Sequence, residues 1–223
     1  MRLFIFSCAI FFLFLVGCDL WKTDLTKVNP NKLPDVPAFQ DDFTREFMGS
    51  IDEVEKGFYL FQSQTGKYTM MYPANAKMQR PFYGFTGENY EKLRYAGADE
   101  EVTGATYTVD LTFKHNKDTI RLNTHLSVVS SGVRYDGDFE KIETEDLEIY
   151  FAKNTLPVDG ERIGSYNFFG VVKSKESNKT LNYTYMVYCD RDEEDCDYDT
   201  EAIEKHVKKL MKSVTFEPGE REE

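Results

Sequence analysis

Carboxylates and two cysteines crowd one stretch near the C-terminus, Cys189-Asp190-Arg191-Asp192-Glu193-Glu194-Asp195-Cys196-Asp197, followed by Asp199 and Glu201. Asp190, Asp192, Glu194 and Glu201 fall at the first, third, fifth and twelfth positions of an EF-hand loop, so their oxygens are candidate Ca2+ ligands. The sixth position, where the tight turn of such a loop needs glycine, is Asp195. A strand, and not a helix, is also expected before the loop. A solvated acidic loop leading into a helix N-terminus is the preferred reading, with a weak Ca2+-dependent site as the alternative and no other cofactor expected.

Cys189 and Cys196 are expected to form a disulfide, provided the chain is exported to an oxidising compartment. Closing a loop of that length contributes roughly 2.5 kcal/mol by chain entropy. No histidine lies near the pair in sequence, which argues against zinc, and the spacing is not the C-x-x-C of a reactive dithiol. His115, His125 and His206 are scattered and are read as structural. The chain has no G-x-S-x-G nucleophile elbow, no Walker loop and no dinucleotide fingerprint. No catalytic residue is assigned.

The third chemically distinctive cysteine is Cys18. Met1-Arg2 is followed by a small-and-apolar run from Leu3 to Gly17, the length of a signal-peptide hydrophobic region. The run is too short for a finished transmembrane helix, which needs about 20 residues. Leu15-Val16-Gly17-Cys18 resembles the bacterial lipobox, in which a small residue gives the peptidase access to the bond before a diacylglyceryl-modified cysteine. Cleavage before Cys18 and lipid attachment there are expected, with the membrane as the first partner. Acyl chains on one residue provide the two signals that stable anchoring requires.

Removal of residues 1–17 leaves 206 residues with a net charge of about −13, against −12 for the full chain. An acidic body argues against nucleic acid, whose affinity comes from Lys and Arg on phosphates. It also argues against lying flat on an anionic membrane, since no polybasic cluster follows the anchor. Residues 18–40, with Pro30, Pro34 and Pro37, read as the lipidated cysteine and an extended tether. Residues 41–217 read as one domain and 218–223 as an acidic tail.

The elements that would position any site are mostly strands. A short helix is expected over Asp41–Met48, with Phe43 and Phe47 on one face. Gly57–Ser63 and Lys67–Tyr72 form a hairpin around Gln64-Thr65-Gly66. Residues 74–104 are hard to read, apart from the aromatic patch Pro81-Phe82-Tyr83-Gly84-Phe85. Tyr107, Val109, Leu111 and Phe113 alternate with polar residues. Pairing Lys114 with Thr119 aligns them with Ile120, Leu122 and Leu126, which predicts an antiparallel hairpin over 106–129 with Arg121, Asn123 and His125 on its wet face. Leu147, Ile149 and Phe151 predict another strand. Tyr166–Lys173 and Leu181–Tyr188 predict a further hairpin. A final helix is expected after a cap at Asp199 or Thr200, with Ile203, Val207, Leu210, Met211 and Val214 as its buried stripe and Lys208, Lys209 and Lys212 toward its end. Val214-Thr215-Phe216 is expected to add a short strand. The fold class is α+β, predominantly antiparallel sheet with a helix at each end packed on it.

Gly66-Lys67-Tyr68-Thr69-Met70-Met71-Tyr72-Pro73 and Met211-Lys212-Ser213-Val214-Thr215-Phe216 are similar to the opening and closing of PsbP/Mog1-like domains. Phe43-Thr44-Arg45-Glu46-Phe47-Met48, followed by Gly57-Phe58-Tyr59-Leu60-Phe61, resembles surface lipoproteins of Bacillus-type bacteria. That resemblance implies a Gram-positive host and brings no catalytic residues. The functional expectation is a membrane-anchored module that binds a protein, an envelope polymer or a small ligand without catalysis. The alternatives are a cell-envelope hydrolase and a weak Ca2+-dependent binding module. A shallow aromatic face around Phe82, Tyr83 and Phe85 would favour binding, and a deep pocket with converging titratable groups would favour an enzyme. Cys18→Ser is expected to abolish incorporation of labelled fatty acid, and labelling that persists in this variant would place the lipid elsewhere.

Overall fold

The structure is a computed structural model and describes residues 25–99, 105–115, 121–157, 163–189 and 198–218. Cys18, Asp190, Asp192, Glu194 and Cys196 lie outside the described residues. The chain enters through two 3-10 turns, Leu25–Lys27 and Pro30–Lys32, and two single-turn helices, α1 (Pro37–Gln40) and α2 (Asp42–Arg45). The Asp41 side chain caps α2 by accepting the Thr44 N–H at 2.8 Å. A small antiparallel sheet follows, β1 (Met48–Glu55), β2 (Phe58–Gln62) and β3 (Tyr68–Pro73). Gly66, at φ +69°, supplies the left-handed turn between β2 and β3 that glycine adopts freely.

The chain then builds an eight-stranded sheet. Its strands are β4 (Ala76–Met78), β5 (Gly84–Thr86), β6 (Tyr90–Asp99), β7 (Ala105–His115), β8 (Glu140–Glu143), β9 (Leu147–Pro157), β10 (Ile163–Ser174) and β11 (Lys179–Tyr188). They lie in the order β4-β6-β7-β11-β10-β9-β8, with β5 also paired to β6, and every pairing is antiparallel. Helix α3 (Leu122–Gly132) connects β7 to the distant edge strand β8, and β8 to β11 then fill the gap as a meander. Helix α4 (Thr200–Lys212) returns the chain to the small sheet, where β12 (Thr215–Phe216) pairs with β3. The architecture is α+β and mostly antiparallel, as expected.

The two faces of the large sheet are covered by different elements. Tyr107, Val109, Leu111 and Phe113 of β7, with Leu181, Tyr183, Tyr185 and Val187 of β11, join the main core against the small sheet and α4. On the other face, Phe169 and Val171 of β10 and Ala152 of β9 meet Val129 and Val133, with Leu122, Leu126, Tyr135 and Phe139 packed around them. Strand β10 is therefore apolar on both sides, the pattern of a strand covered twice. Between these layers Gly170 has no room to spare. A Cβ there would stand 1.9 Å from the Tyr150 carbonyl oxygen and 3.1 Å from the Met211 Cε of α4.

Two expectations are corrected. The second arm of the hairpin over 106–129 is α3, because β11 takes the place beside β7 in register from Lys179 with His115 to Val187 with Tyr107. Leu122, Leu126, Val129 and Val133 recur at helical spacing, whereas the alternating reading had to place Thr124 on the apolar face. His125 consequently leaves the wet face and is on the buried face of α3, its Nδ1 2.8 Å from Asn182 Oδ1. Within the expected tether, residues 25–40 pack onto the domain, with Leu25, Ala38 and Phe39 buried. Pro37 opens α1, where a missing N–H costs nothing.

The remaining strands and the C-terminal helix expected over the described residues are present. The short N-terminal helix is shorter than predicted, since Met48 already begins β1. Asp199 is the cap of α4, its Oδ1 accepting from the N–H groups of Glu201 at 3.1 Å and Ala202 at 2.9 Å. The predicted stripe Ile203, Val207, Leu210, Met211 and Val214 is buried throughout. Gly170→Ala is expected to lower the melting temperature by roughly 5–10 °C, the effect of about 2–3 kcal/mol of overpacking in a domain of this size. Gly84→Ala, with open space around its Cβ, should be close to neutral in the same assay.

Candidate functional site

Two surfaces stand out, and each is assembled from elements far apart in sequence. The first is an aromatic ledge beside β6. Pro81 opens a 3-10 turn over Arg80–Phe82, anchored where the Gln79 N–H donates to the Arg94 carbonyl at 2.8 Å. This turn and β5 present Phe82 and Phe85, which are 43% and 57% exposed. The Arg94 guanidinium stacks on Phe82 at 4.1 Å from the ring centre and makes a two-pronged ion pair with Asp110, at 2.6 Å and 2.7 Å. Fixed this way, the guanidinium holds a ring that stays 43% exposed.

Tyr83 is the inner root of the ledge. Its ring meets Phe43 at 5.6 Å, Phe47 at 5.1 Å and Phe85 at 5.9 Å. Its hydroxyl donates to Glu91 at 3.4 Å, and burial together with the Glu91 charge pushes the phenol well above its usual range. Glu91 is fully buried and also accepts the Gln64 N–H at 2.9 Å, which ties the β2–β3 turn to β6. The aromatic patch singled out in the sequence is thus a ledge of two exposed phenylalanines on a half-buried tyrosine.

The second surface is an open groove of about 840 Å3 along α4, lined by Glu55, Met71, Lys153, Ser213 and the helix residues Glu201, Glu204, Lys205, Lys208, Lys209 and Lys212. Glu204 accepts from Lys153 at 2.5 Å and from Lys208 at 2.6 Å, and Lys208 also reaches Glu140 at 2.6 Å. Lys209 pairs with Glu55 and lies 4.5 Å over the Phe58 ring. Burial pushes the Glu204 carboxyl up, but the hydrogen bonds from Lys153 and Lys208 outweigh it, so the carboxyl sits below its usual range. Burial likewise works against the Lys208 ammonium, and Glu140 and Glu204 reverse it, so Lys208 is raised. Lys205 and Lys212 are exposed and make no ion pair among the described residues.

Of the residues proposed as Ca2+ ligands, Glu201 is described, on the first turn of α4 where it lines this groove. Asp190, Asp192 and Glu194 lie outside the described residues, as do Cys18 and Cys196. Cys189 follows β11, its N–H donating to the Gly164 carbonyl at 3.2 Å. Among the described residues, no cluster of three or more His, Cys, Asp or Glu is placed to hold a metal ion. The three histidines occupy different settings. His115 sits near Lys179, Lys67 and Glu88 at the end of β7, and His125 is on the buried face of α3, against Asn182 of β11. His206 stands against Phe58 and Tyr185 on α4.

Sequence reasoning missed most of the groove. Along the sequence, Lys208, Lys209 and Lys212 stand out only as partners of the helix dipole. With Lys205 they recur at the three- and four-residue steps of one helical face, a signal that was legible. The contributions of Lys153 and Glu55 were not legible, because β9 and β1 reach α4 only in the folded chain.

Comparisons with known proteins place the chain in a lipoprotein family. Residues 34–215 match the model of a family described as "Putative lipoprotein YvcA". A Bacillus subtilis (strain 168) protein of the same description is 32% identical, with 97% of each chain covered. Among solved structures, the Saccharomyces cerevisiae Ran-binding protein Mog1p is similar over 71% of this chain and 94% of its own, with a TM-score of 0.47 and 6% identity. A Bacteroides thetaiotaomicron structure has a TM-score of 0.38 at 11% identity, over 74% of this chain and 49% of its own. No described helix is long and apolar enough to cross a membrane.

The ion pairs of Glu204 give a signed pH dependence. A carboxyl held below its unfolded pKa contributes stability that is complete above about pH 4.5 and is lost as pH falls through the lowered native value. Glu204→Gln is therefore expected to cost about 1 kcal/mol near neutral pH. The gap between wild type and variant should narrow in thermal denaturation as pH falls below about 4.5.

Proposed function

Because this chain belongs to the YvcA lipoprotein family, we propose that it is held to the outer face of the membrane by lipid on Cys18 and works there as a non-catalytic binding module. The aromatic ledge at Phe82 and Phe85 is its contact surface. The observation that carries this reading is the pair of exposed phenylalanines, one locked by Arg94 and Asp110 and the other seated on Tyr83. Rigid, half-exposed aromatic side chains lose little conformational entropy when covered, which is why such residues anchor interfaces. Burying the exposed half of each ring against a partner is worth roughly 1 kcal/mol each.

The rest of the proposal follows from the same address. Outside the membrane the compartment is oxidising, and a disulfide between Cys189 and Cys196 would close the acidic loop and fix the entry to α4. The partner is a protein or an envelope polymer that offers apolar or sugar-like faces to the ledge. Nucleic acid is not expected, given a net charge of −12.

Photo-crosslinking in intact cells tests the ledge. A photoreactive residue at Phe85 should give a discrete adduct that disappears when Phe82→Ala is added, while the same probe at exposed Ile51 on β1 should not give it. Phe82→Ala/Phe85→Ala should leave the melting temperature within about 2 °C of wild type, as expected of exposed side chains. An adduct that is indifferent to Phe82 would refute the ledge as the contact surface.

A further inference from the structure

We propose that the groove along α4 is a second binding site, independent of the ledge, and that it takes a linear phosphate-bearing polyanion. Its lining reverses the charge balance of the protein. The chain has 39 acidic residues against 27 lysines and arginines, whereas the groove is lined by five lysines and three glutamates. In a body that repels anions, this is where one could settle, and the surrounding negative charge would confine it there.

The arrangement of the lysines favours a chain over a flat surface. Lys205, Lys208, Lys209 and Lys212 follow one face of α4, so the row spans roughly 10 Å along the helix axis at about 1.5 Å per residue. Lys153 of β9 joins it from the side. Glu204, Glu140 and Glu55 hold Lys153, Lys208 and Lys209 in fixed positions. Lys205 and Lys212, exposed and without an ion pair among the described residues, are left to meet a ligand. A thin polymer in the groove meets this row, whereas a planar anionic membrane would also press on Glu55, Glu140, Glu201 and the acidic body. The ligand-facing cations are all lysines, compact point charges with three donors each that suit phosphate oxygens. No arginine lines the groove, so a ligand there meets mobile point charges and no planar fork.

The test uses the full lipidated chain in a neutral detergent and fluorescently labelled linear polyphosphate as the probe, with binding read by anisotropy. Saturable binding is expected, weakening steeply as salt is raised. Lys205→Glu/Lys212→Glu should weaken it at least tenfold with an unchanged melting temperature. Lys92→Glu/Lys114→Glu, on β6 and β7, should leave it unchanged. Equal weakening by the two double variants would mean diffuse attraction and overturn the proposal, as would full binding by Lys205→Glu/Lys212→Glu. Polyglutamate bound as tightly as polyphosphate would assign the groove to acidic peptides instead. A soluble short-chain phosphatidylglycerol bound as tightly would assign it to lipid headgroups. Self-association abolished by Lys205→Glu/Lys212→Glu would assign it to a second copy. Each of these three results overturns the phosphate polymer.

Discussion

A sheet in which strand β10 is apolar on both sides must be covered on both faces, and much of this molecule follows from that constraint. Strand β10 sends Phe168 and Val172 into one core and Phe169 and Val171 into the other. Neither face can be left to water without forfeiting roughly 1.5–3 kcal/mol for each large side chain. The chain meets the demand with its two crossovers. Helix α3 covers one face on its way from β7 to β8, and α4 with the small sheet covers the other. The missing side chain at Gly170 lets β9 and β10 come close together with Met211 of α4 packed above them, and both the lysine groove and the closing strand β12 depend on where that helix lies.

The main core is unusual in carrying six tyrosines that are almost completely buried, Tyr68, Tyr72, Tyr95, Tyr107, Tyr183 and Tyr185. Their rings supply apolar area, and several hydroxyls find partners inside. Tyr95 meets Tyr183 at 3.3 Å, and Tyr107 donates to Asn75 at 2.8 Å. Tyr68 lies against Glu91, and burial together with that carboxylate pushes its phenol well above the usual range. Polar atoms in such a place constrain geometry more than apolar ones, because a misplaced partner leaves a buried group unsatisfied. Glu91 joins β6 to the β2–β3 turn and to the tyrosine beneath the ledge. The register between the two sheets and the pose of the aromatic surface are thus set by the same buried carboxylate.

The surface follows a different logic. Most of its ion pairs are exposed and contribute little individually. Along α4 and beside β6, however, charges are braced by neighbours: Lys208 between two carboxylates, and Arg94 between Asp110 and a phenyl ring. Bracing of this kind lowers the entropy lost when a ligand binds. A net negative body with one lysine-lined groove and one aromatic ledge separates two kinds of recognition, one electrostatic and salt-sensitive, the other apolar.

The sequence by itself determined the local events. The Gly66 hairpin, the alternating strand β7, the hairpin of β10 and β11, and the Asp199-capped helix with its buried stripe all rest on neighbours a few residues apart. Period-two and period-3.6 patterns record such contacts directly. Tertiary structure decided whatever depends on which strand lies beside which. It gave β7 the partner β11 in place of residues 119–126, which freed Leu122, Leu126, Val129 and Val133 to form a helix and drew His125 out of water. It folded Leu25, Ala38 and Phe39 onto a core that a proline-spaced stretch gave no local reason to expect. It also brought Lys153 and Glu55 to α4, and Arg94 beneath Phe82. Spacing along the chain cannot encode these meetings, because each is fixed by the free energy of covering a shared sheet and not by the residues adjacent in sequence.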